Sequence, residues 1–327
     1  MMSGTISSSA TKDNSNLYPE AQASGYNFVF REQPKEKPGI PGDRRPTMKK
    51  LLRRAVAAAL SAILLTGTVP CVRAEEDRID VLLIGLDQRP GLAGCRSDTV
   101  ILCSCDPAAG ELELISFLRD LWLPIPGHGN DRLNAAYAYG GRELLKQTLE
   151  EDLGVEVDGC VEVDFSQFAR IVDALGGVRL QLREDEAQRI RSTVPGSTVT
   201  GGEQLLTGEE ALRYSQIRDL DPDGDQSRTR RQRSLLLEIL DTWKEADLGE
   251  MLKVMREVLP MVSTDLSPLE IMDWIFTAAP KRAKLVTRSI QIPAPGTFWD
   301  ETVRGMAVLV CDLEANRRIL RERLNGD

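Results

Sequence analysis

Residues 98–120 read DTVILCSCDPAAGELELISFLRD, and this stretch decides the fold class. Two apolar runs rich in β-branched residues flank the turn sequence PAAG at 107–110, which predicts two antiparallel strands joined as a hairpin. A third apolar run, RIDVLLIGLD at 78–87, precedes them. Such runs are typical of strands that are buried on both faces of a sheet.

Helical patterns alternate with further strands after this hairpin. A helix is predicted over 133–154 with Gly154 as its C-cap, and another over 165–177. Capping boxes predict helix starts at Thr207, paired with Glu210, and at Ser267, paired with Glu270. Further helices are predicted from 227 and over 313–324, and strands over 159–163, 178–182 and 284–293. This alternation favours an α/β fold, a three-layer α/β/α domain with a central mixed sheet.

The N-terminal part of the chain differs in composition. Residues 1–47 are polar and lack apolar periodicity, which predicts a disordered segment. Within 48–74, a basic cluster precedes an uncharged run whose helix would be about 27 Å long, enough to cross a bilayer core. This segment is either a transmembrane anchor with a cytoplasmic N-terminus or a signal peptide cleaved after Ala74. Both interpretations place the domain at 75–327 outside the cytoplasm, at the cell membrane or secreted.

Composition excludes several classes of function. With 41 basic and 50 acidic residues, the formal net charge is -9, which argues against a nucleic-acid binder. Six cysteines without a CxxC pair argue against a structural zinc site. Because His128 is the only histidine, a multi-histidine metal site is excluded and acid–base chemistry is expected from carboxylates.

Charged side chains recur at the ends of the predicted strands. Asp87 follows the first strand, Arg96 and Asp98 precede the second, and Arg119 follows the third. An antiparallel connection between the first two strands would bring Asp87 and Asp98 to one end of the sheet. Two carboxylates beside arginines suit a phosphate that is bound with Mg²⁺.

A fourth cluster, YSQIRDLDPDGDQSRTRRQR at 214–233, contains five arginines. Arg228 and Gln232 are four residues apart and share a helix face, near a helix start where backbone N–H groups favour an anion. Alone, each of these charges could be a turn residue or solvated surface, as could Arg213, Arg230 and Arg233. Their recurrence at several element ends favours a phosphate or diphosphate site.

Seven stretches in order make the chain resemble the LytR-CpsA-Psr family of cell-wall glycopolymer transferases. They read DVLLIGLDQR, CRSDTVIL, ELELISFLRDLWLPIPG, RLNAAYAYGG, VEVDFSQFARIVDALGGV, LTGEEALRYSQIR and SRTRRQRSLL, and IPAPGTFWDETVRGMAVLVCDLEANRRIL is similar to the usual ending of the family. The resemblance implies an extracytoplasmic domain tethered to the membrane. It also implies transfer of a glycopolymer, such as teichoic acid or capsule, from a polyprenyl diphosphate carrier to peptidoglycan through a new phosphodiester.

The resemblance also implies roles for individual residues. Asp87 and Asp98 match positions that hold Mg²⁺ and supply a base, and Arg119 matches a catalytic arginine. The diphosphate would be bound by Arg96, Arg119, Arg218, Arg228 and Gln232.

One position departs from the family pattern. Where many members read Arg-x-Arg, this chain reads Gln216-Ile217-Arg218, so one charge is missing. A polyprenyl diphosphate hydrolase and a non-catalytic lipid-diphosphate binding protein therefore stay open as alternatives. For the lipid tail, Phe165 and Phe168 are candidates for a groove wall, although their i, i+3 spacing is more typical of core residues.

Overall fold

The computed structural model describes residues 78–87 and 96–325. The predicted disordered segment at 1–47 and the predicted anchor or signal segment at 48–74 lie outside the described residues. Across the two described ranges, no helix combines the length and the apolar character that a membrane span requires.

The described chain alternates strands and helices. The strands are β1 (Ile79–Asp87), β2 (Arg96–Asp106), β3 (Glu111–Phe117), β4 (Trp122–Ile125), β5 (Gly129–Arg132), β6 (Gly159–Asp164), β7 (Val178–Leu182), β8 (Gly202–Leu206), β9 (Ser263–Thr264), β10 (Val286–Ile292), β11 (Phe298–Val303) and β12 (Met306–Cys311). The helices are α1 (Leu133–Leu153), α2 (Phe165–Ala174), α3 (Glu184–Thr193), α4 (Gly208–Gln216), α5 (Asp225–Glu245), α6 (Leu248–Val258), α7 (Pro268–Ala278) and α8 (Leu313–Asn325).

Six strands form the central sheet, in the order β10-β3-β2-β1-β6-β9. The pairs β1–β2 and β2–β3 are antiparallel, whereas β1–β6 and β3–β10 are parallel. The predicted mixed sheet is confirmed, and so is the antiparallel hairpin around residues 107–110. Three two-stranded sheets, β4–β5, β7–β8 and β11–β12, complete the described β-structure.

The pleat of β1 divides its residues between two environments. Leu82, Ile84 and Leu86 belong to the main core with residues of α1 and α8. On the other face, Leu83, Gly85 and Asp87 line a cavity. Because successive strand side chains point to opposite faces, one strand supports the core and the cavity at the same time.

Two smaller clusters bury residues of α2, α3, α4, α5 and α7. Near the start of β1, Ile79 and Leu112 pack with Ala278 of α7 and with Trp243 of α5, so helices lie on both faces of the sheet. Residues of α2, α3, α4, α5 and the β7–β8 hairpin form another core, which includes Val172, Ile190, Leu206 and Tyr214. This second core holds α2, α4 and α5 beside the cavity.

Helix termini follow the predicted capping chemistry. Asp164, Thr207 and Ser267 each accept a hydrogen bond from the backbone N–H three residues on, and each is paired in a capping box. Gly154 ends α1 in the left-handed conformation, at φ 68°. Both predicted boxes and the glycine cap are confirmed; the box at Asp164 was not predicted.

Several predicted boundaries were wrong. The strand predicted over 111–120 ends at Phe117, so Arg119 and Asp120 lie in a turn. The helix predicted over 165–177 ends at Ala174, and the one predicted from 227 begins at Asp225. Helix α1 is interrupted at Gly140–Gly141, where φ and ψ are not helical. Glycine permits this interruption because it lacks a Cβ.

Candidate active site

A cavity of about 1180 Å³ lies between the open sheet face and α2, α4 and α5. All seven residues predicted for the site line it: Asp87, Arg96, Asp98, Arg119, Arg218, Arg228 and Gln232. Residues from two strands, a turn and two helical regions thus meet at one place. The polar end of the cavity lies where β1 ends and β2 begins, as the antiparallel connection predicted.

A β-bulge sets the position of Asp98. Gly85 pairs with Thr99 and Leu86 pairs with Ser97, so Asp98 is the extra residue of β2. A bulge re-aims a side chain, and this one lets Asp98 accept a hydrogen bond from Arg119 at 3.0 Å. Gly85 permits the close strand approach, because a Cβ there would lie 2.8 Å from the Cβ of Thr99.

Two arginines are held between carboxylates at this end of the cavity. Besides its bond to Asp98, Arg119 lies 3.3 Å from the Oδ1 of Asp225. The same Oδ1 lies 2.9 Å from Nη2 of Arg228. Arg228 also donates a 3.4 Å hydrogen bond to the backbone carbonyl of Asp98, which ties α5 to β2.

Burial and neighbouring charges shift the pKa values of these groups in opposite directions. Burial lowers the pKa of Arg228 below its ordinary value, despite the attraction of Asp225. Burial likewise raises the pKa of Asp225, although Arg228 and Arg119 oppose that shift. For Arg119 burial favours the neutral form, but Asp225, Asp98 and Asp120 outweigh it and raise the pKa. Arg119 is therefore firmly cationic, and an added anion would stabilise the charged form of Arg228.

The arginines keep donor capacity for a ligand. In the described part of the chain, the buried Nε atoms of Arg119 and Arg228 have no hydrogen-bond acceptor. Buried donors of this kind are costly unless they are paired, and phosphate oxygens match the planar guanidinium. The geometry is suited to a compact, multiply charged anion.

The five arginines of 214–233 occupy different environments. Arg218 and Arg228 line the cavity. Arg230 is exposed and pairs with Asp223, as expected of a surface residue. Arg231 is buried beside Glu186 at 2.8 Å and fixes α5 against α3. The interpretation of Arg233 as solvated surface was wrong, because it is 9% exposed and burial lowers its pKa to about 10.

Gln216 and Arg213 lie together at the cavity wall. Arg213 donates a 3.2 Å hydrogen bond to the Oε1 of Gln216, and its Nε lies 3.0 Å from Glu209. Arg213 lies one helical turn before Gln216, the position where the Arg-x-Arg pattern has its first arginine. It thus brings a positive charge to the same wall. Its interpretation as surface alone was incomplete, since it is half-exposed and lines the cavity.

The rest of the cavity is mostly apolar. Its walls include Leu83 and Ile101 from the sheet, and Leu236 and Ile239 from α5. Phe165 and Phe168 also line it. The preference for them as core residues was wrong for Phe165, whereas Phe168 both lines the cavity and packs against the neighbouring core.

Sequence reasoning assigned no role to three charged residues near the arginines, namely Asp225, Asp120 and Arg132. Asp225 joins Arg119 to Arg228, and Asp120 lies 3.1 Å from Arg132, which also lines the cavity. The i, i+3 spacing of Asp225 and Arg228 was the available local signal. His128, by contrast, is exposed and stacks on Tyr139.

The donor chemistry at this end of the cavity fits Mg²⁺. Asp87 and Asp98 are hard oxygen donors from neighbouring strand ends that line the same cavity. Among the described residues, no group of three or more His, Cys, Asp or Glu side chains is arranged to hold a metal by itself. A pair of carboxylates is nevertheless sufficient when phosphate oxygens and water complete the magnesium shell.

The described cysteines Cys103, Cys105, Cys160 and Cys311 are free thiols.

Two bacterial proteins are similar in sequence to this chain. It is 31% identical over 254 residues to the polyisoprenyl-teichoic acid–peptidoglycan teichoic acid transferase TagU of Oceanobacillus iheyensis, covering 74% of each chain. It is 33% identical over 163 residues to the regulatory protein MsrR of Staphylococcus aureus, covering 49% of this chain and 48% of that protein.

Solved structures share the fold. TagT bound to LIIa-WTA matches with a TM-score of 0.64 and 28% identity, over 80% of this chain and 96% of that one. TagT with bound octaprenyl pyrophosphate lipid matches with a TM-score of 0.59 and 28% identity, over 79% and 100%. The LytR_cpsA_psr family model matches residues 53–323, which include every residue of the cavity. With its cavity, its ordered motifs and this match over most of its length, the chain belongs to the LytR-CpsA-Psr family.

Proposed function

We propose that this chain is a phosphotransferase that moves a glycopolymer, such as teichoic acid or capsular polysaccharide, from a polyprenyl diphosphate carrier to peptidoglycan. One observation carries this proposal. One cavity is lined both by arginines with two carboxylates and by many apolar side chains, so that one ligand with a charged head and a hydrocarbon tail would contact both sets. The TagU and TagT relatives, named for teichoic acid transfer and for bound lipid pyrophosphate, support the same chemistry.

The arginines would bind the donor. Arg119 and Arg228 would donate to the diphosphate through their Nε atoms, which make no hydrogen bond in the described chain, with Arg218, Arg96 and Gln232 at the same wall. Arg213 would supply charge that Gln216 lacks. The polyprenyl chain would lie between the sheet and α5, where its burial contributes about 25 cal/mol per Å² of apolar area.

The carboxylates would serve the acceptor and the metal. Bound Mg²⁺, held by Asp87 and Asp98, would offset negative charge on the phosphoryl oxygens. An acceptor hydroxyl oxygen forms a bond to the sugar-linked phosphorus while the bridging P–O bond of the diphosphate breaks. The hydroxyl proton passes to Asp87 or Asp98, and polyprenyl phosphate leaves. Arg119 would stabilise the charge that develops in the transition state.

The location of the reaction follows from its substrates. We propose that residues 75–327 form an extracytoplasmic three-layer α/β/α domain, and that 48–74 anchor it to the cell membrane as a single span. Cleavage after Ala74, which would release the domain, is the alternative. Labelling of an introduced cysteine in intact cells would distinguish the anchored domain from a released one.

A turnover assay with a matched pair of aspartate variants tests the proposal. The full chain in detergent is incubated with a polyprenyl diphosphate-linked sugar, Mg²⁺ and peptidoglycan fragments, and products are identified by mass spectrometry. We expect a phosphodiester-linked product from the native chain and its loss in Asp98→Asn. Asp106→Asn, at the opposite end of β2, should retain activity because its side chain serves a turn.

The products separate the proposed reaction from its alternatives. Free sugar phosphate in place of the linked product would establish the hydrolase. Bound but unchanged lipid would establish a binding protein. Full transfer by Asp98→Asn would show that Asp98 neither accepts the proton nor holds the metal. Removing Mg²⁺ with a chelator should abolish transfer. An unchanged rate would show that the reaction does not need the metal.

A further inference from the structure

A group of aromatic and charged side chains outside the cavity has no role in the mechanism above. We name it the rim platform and define it as Trp122, His128, Asp131, Tyr139 and Arg304. The rings of His128 and Tyr139 stack with centroids 4.4 Å apart and planes within 7°. Tyr139 is nevertheless 48% exposed, so this stacking does not bury it in a core. A large exposed ring with a defined orientation is typical of a binding surface.

Polar contacts fix the orientation of Tyr139. Its hydroxyl donates a 2.6 Å hydrogen bond to the Oδ2 of Asp131. The other oxygen of Asp131 accepts a 2.8 Å hydrogen bond from the backbone N–H of Arg132. Helix α1 is interrupted immediately after Tyr139, at Gly140–Gly141. The ring is therefore pre-organised, which reduces the entropy that a ligand would have to remove.

A second ring in the platform carries a cation. Arg304 lies over Trp122 at 5.7 Å from the ring centroid. Arg304 is in the turn between β11 and β12 with φ 52°, an uncommon conformation for a residue other than glycine. Such backbone conformations persist where the surrounding structure requires them, often at ligand-binding positions.

The rim platform is continuous with the polar mouth of the cavity. Trp122 pairs with Arg132 across β4–β5, and the Arg132 side chain lines the cavity. Arg96, another cavity residue, lies close enough to Tyr139 to act on it electrostatically, as does Arg304. A polymer lying on the rim platform would therefore extend to the carboxylates of Asp87 and Asp98 in the cavity.

We propose that the rim platform binds the acceptor, a glycan strand of peptidoglycan, and directs one of its hydroxyl groups to the mouth of the cavity. The C–H faces of pyranose rings stack on aromatic rings, and Asp131 can accept hydrogen bonds from sugar hydroxyls. Arg304 matches a carboxylate of the stem peptides. This inference rests on the proposed function, because only a transferase with a glycan acceptor needs such a surface beside the donor site.

Binding of soluble peptidoglycan fragments, disaccharide units with their stem peptides, tests the inference without turnover. The full chain in detergent is titrated with these fragments by calorimetry. We expect Tyr139→Ala to weaken fragment binding about tenfold, the upper range for one aromatic contact. Tyr139→Phe keeps the ring and should lose less affinity. Phe276→Ala removes an equally exposed ring from α7, whose helix packs near the start of β1, and should bind as the native chain does.

Transfer kinetics provide the second readout. In Tyr139→Ala the KM for the acceptor should rise while the KM for the polyprenyl diphosphate donor stays unchanged. If Tyr139→Ala does not fold, as judged by circular dichroism, His128→Ala in the exposed turn makes the same test with the same expected direction.

The outcomes distinguish this inference from the proposed function. The inference would be overturned if the native chain did not bind the fragments. It would also be overturned if the native chain and a folded variant of the rim platform bound them equally well. Fragment binding that depends on Tyr139, without any transfer by the native chain, would support the platform and contradict the proposed reaction. A raised donor KM in Tyr139→Ala would assign the ring to the donor and overturn the inference.

Discussion

At the scale of single residues, environment decides what each arginine does. Arg228 and Arg230 are two residues apart on α5, yet Arg228 is 7% exposed at the cavity and Arg230 faces solvent. An arginine that is buried among carboxylates costs desolvation free energy, which a bound anion would offset. A solvated ion pair such as Arg230–Asp223 contributes little to stability.

Substituting these two arginines separates the two environments. Arg228→Ala should lower kcat/KM for the donor about 10- to 100-fold, corresponding to the loss of a charge-assisted hydrogen bond of about 1.5–3 kcal/mol. Arg230→Ala should change kcat/KM less than about twofold, because its partner is solvated. Initial rates over a range of donor concentrations measure both. Equal losses in the two variants would contradict the assignment of Arg228 to the diphosphate.

At the scale of secondary-structure elements, close backbone approaches shape the cavity. Helix α4 begins at Gly208, and a Cβ there would lie 1.9 Å from the backbone oxygen of Ala169 in α2. Only glycine allows these two helices to approach so closely. The contact holds α2, with Phe165 and Phe168, at the apolar wall.

Gly208→Ala should therefore displace α4 from α2. We expect a loss of about 2–4 kcal/mol in the free energy of unfolding, in the range for severe overpacking, together with weaker lipid binding. The matched control is Gly249→Ala in α6, where a Cβ would meet only an oxygen of the Asp247 side chain at 3.1 Å. That variant should change the free energy of unfolding by less than about 1 kcal/mol, because alanine favours helix while the Asp247 carboxylate, which caps the helix, must shift slightly. Urea unfolding measures the difference, and an unperturbed Gly208→Ala would show that the helices can separate without cost.

At the scale of the whole molecule, buried carboxyl groups make stability depend on pH. Glu113 of β3 is 6% exposed, and burial raises its pKa from 4.5 to about 7, with Arg323 and Arg288 opposing the shift and Glu111 adding to it. The folded chain thus binds this proton more tightly than the unfolded chain. Its contribution to stability is present below about pH 4.5 and is lost as the pH rises through 7.

Glu113→Gln removes this titration. Relative to the native chain, the variant should gain stability between pH 5 and pH 8, by about 3 kcal/mol at most, since each pKa unit corresponds to about 1.4 kcal/mol. The control Glu111→Gln alters a half-exposed neighbour paired with Arg288 but leaves Glu113 buried, so most of the pH dependence of stability should remain. Urea unfolding at both pH values provides the measurement. A constant difference between native and variant would mean that Glu113 titrates normally in the folded chain.

The sequence by itself determined the features that local chemistry encodes. The hairpin at 107–110, the caps at Thr207, Ser267 and Gly154, and the mixed sheet follow from turn residues, capping boxes and apolar periodicity, which act over a few neighbouring positions. The ordered motifs also determined the family and identified the seven predicted site residues, all of which line one cavity in the structure.

Only the tertiary structure decided how those residues meet. The bulge that orients Asp98, the contact of Asp225 with both arginines, and the position of Tyr139 beside the cavity join segments that lie far apart in the chain. The same holds for Phe165 and Phe168, whose spacing predicts an apolar face but not whether core or cavity lies against it. Such contacts depend on strand register and helix packing, which local propensity does not encode because many distant residues set them together.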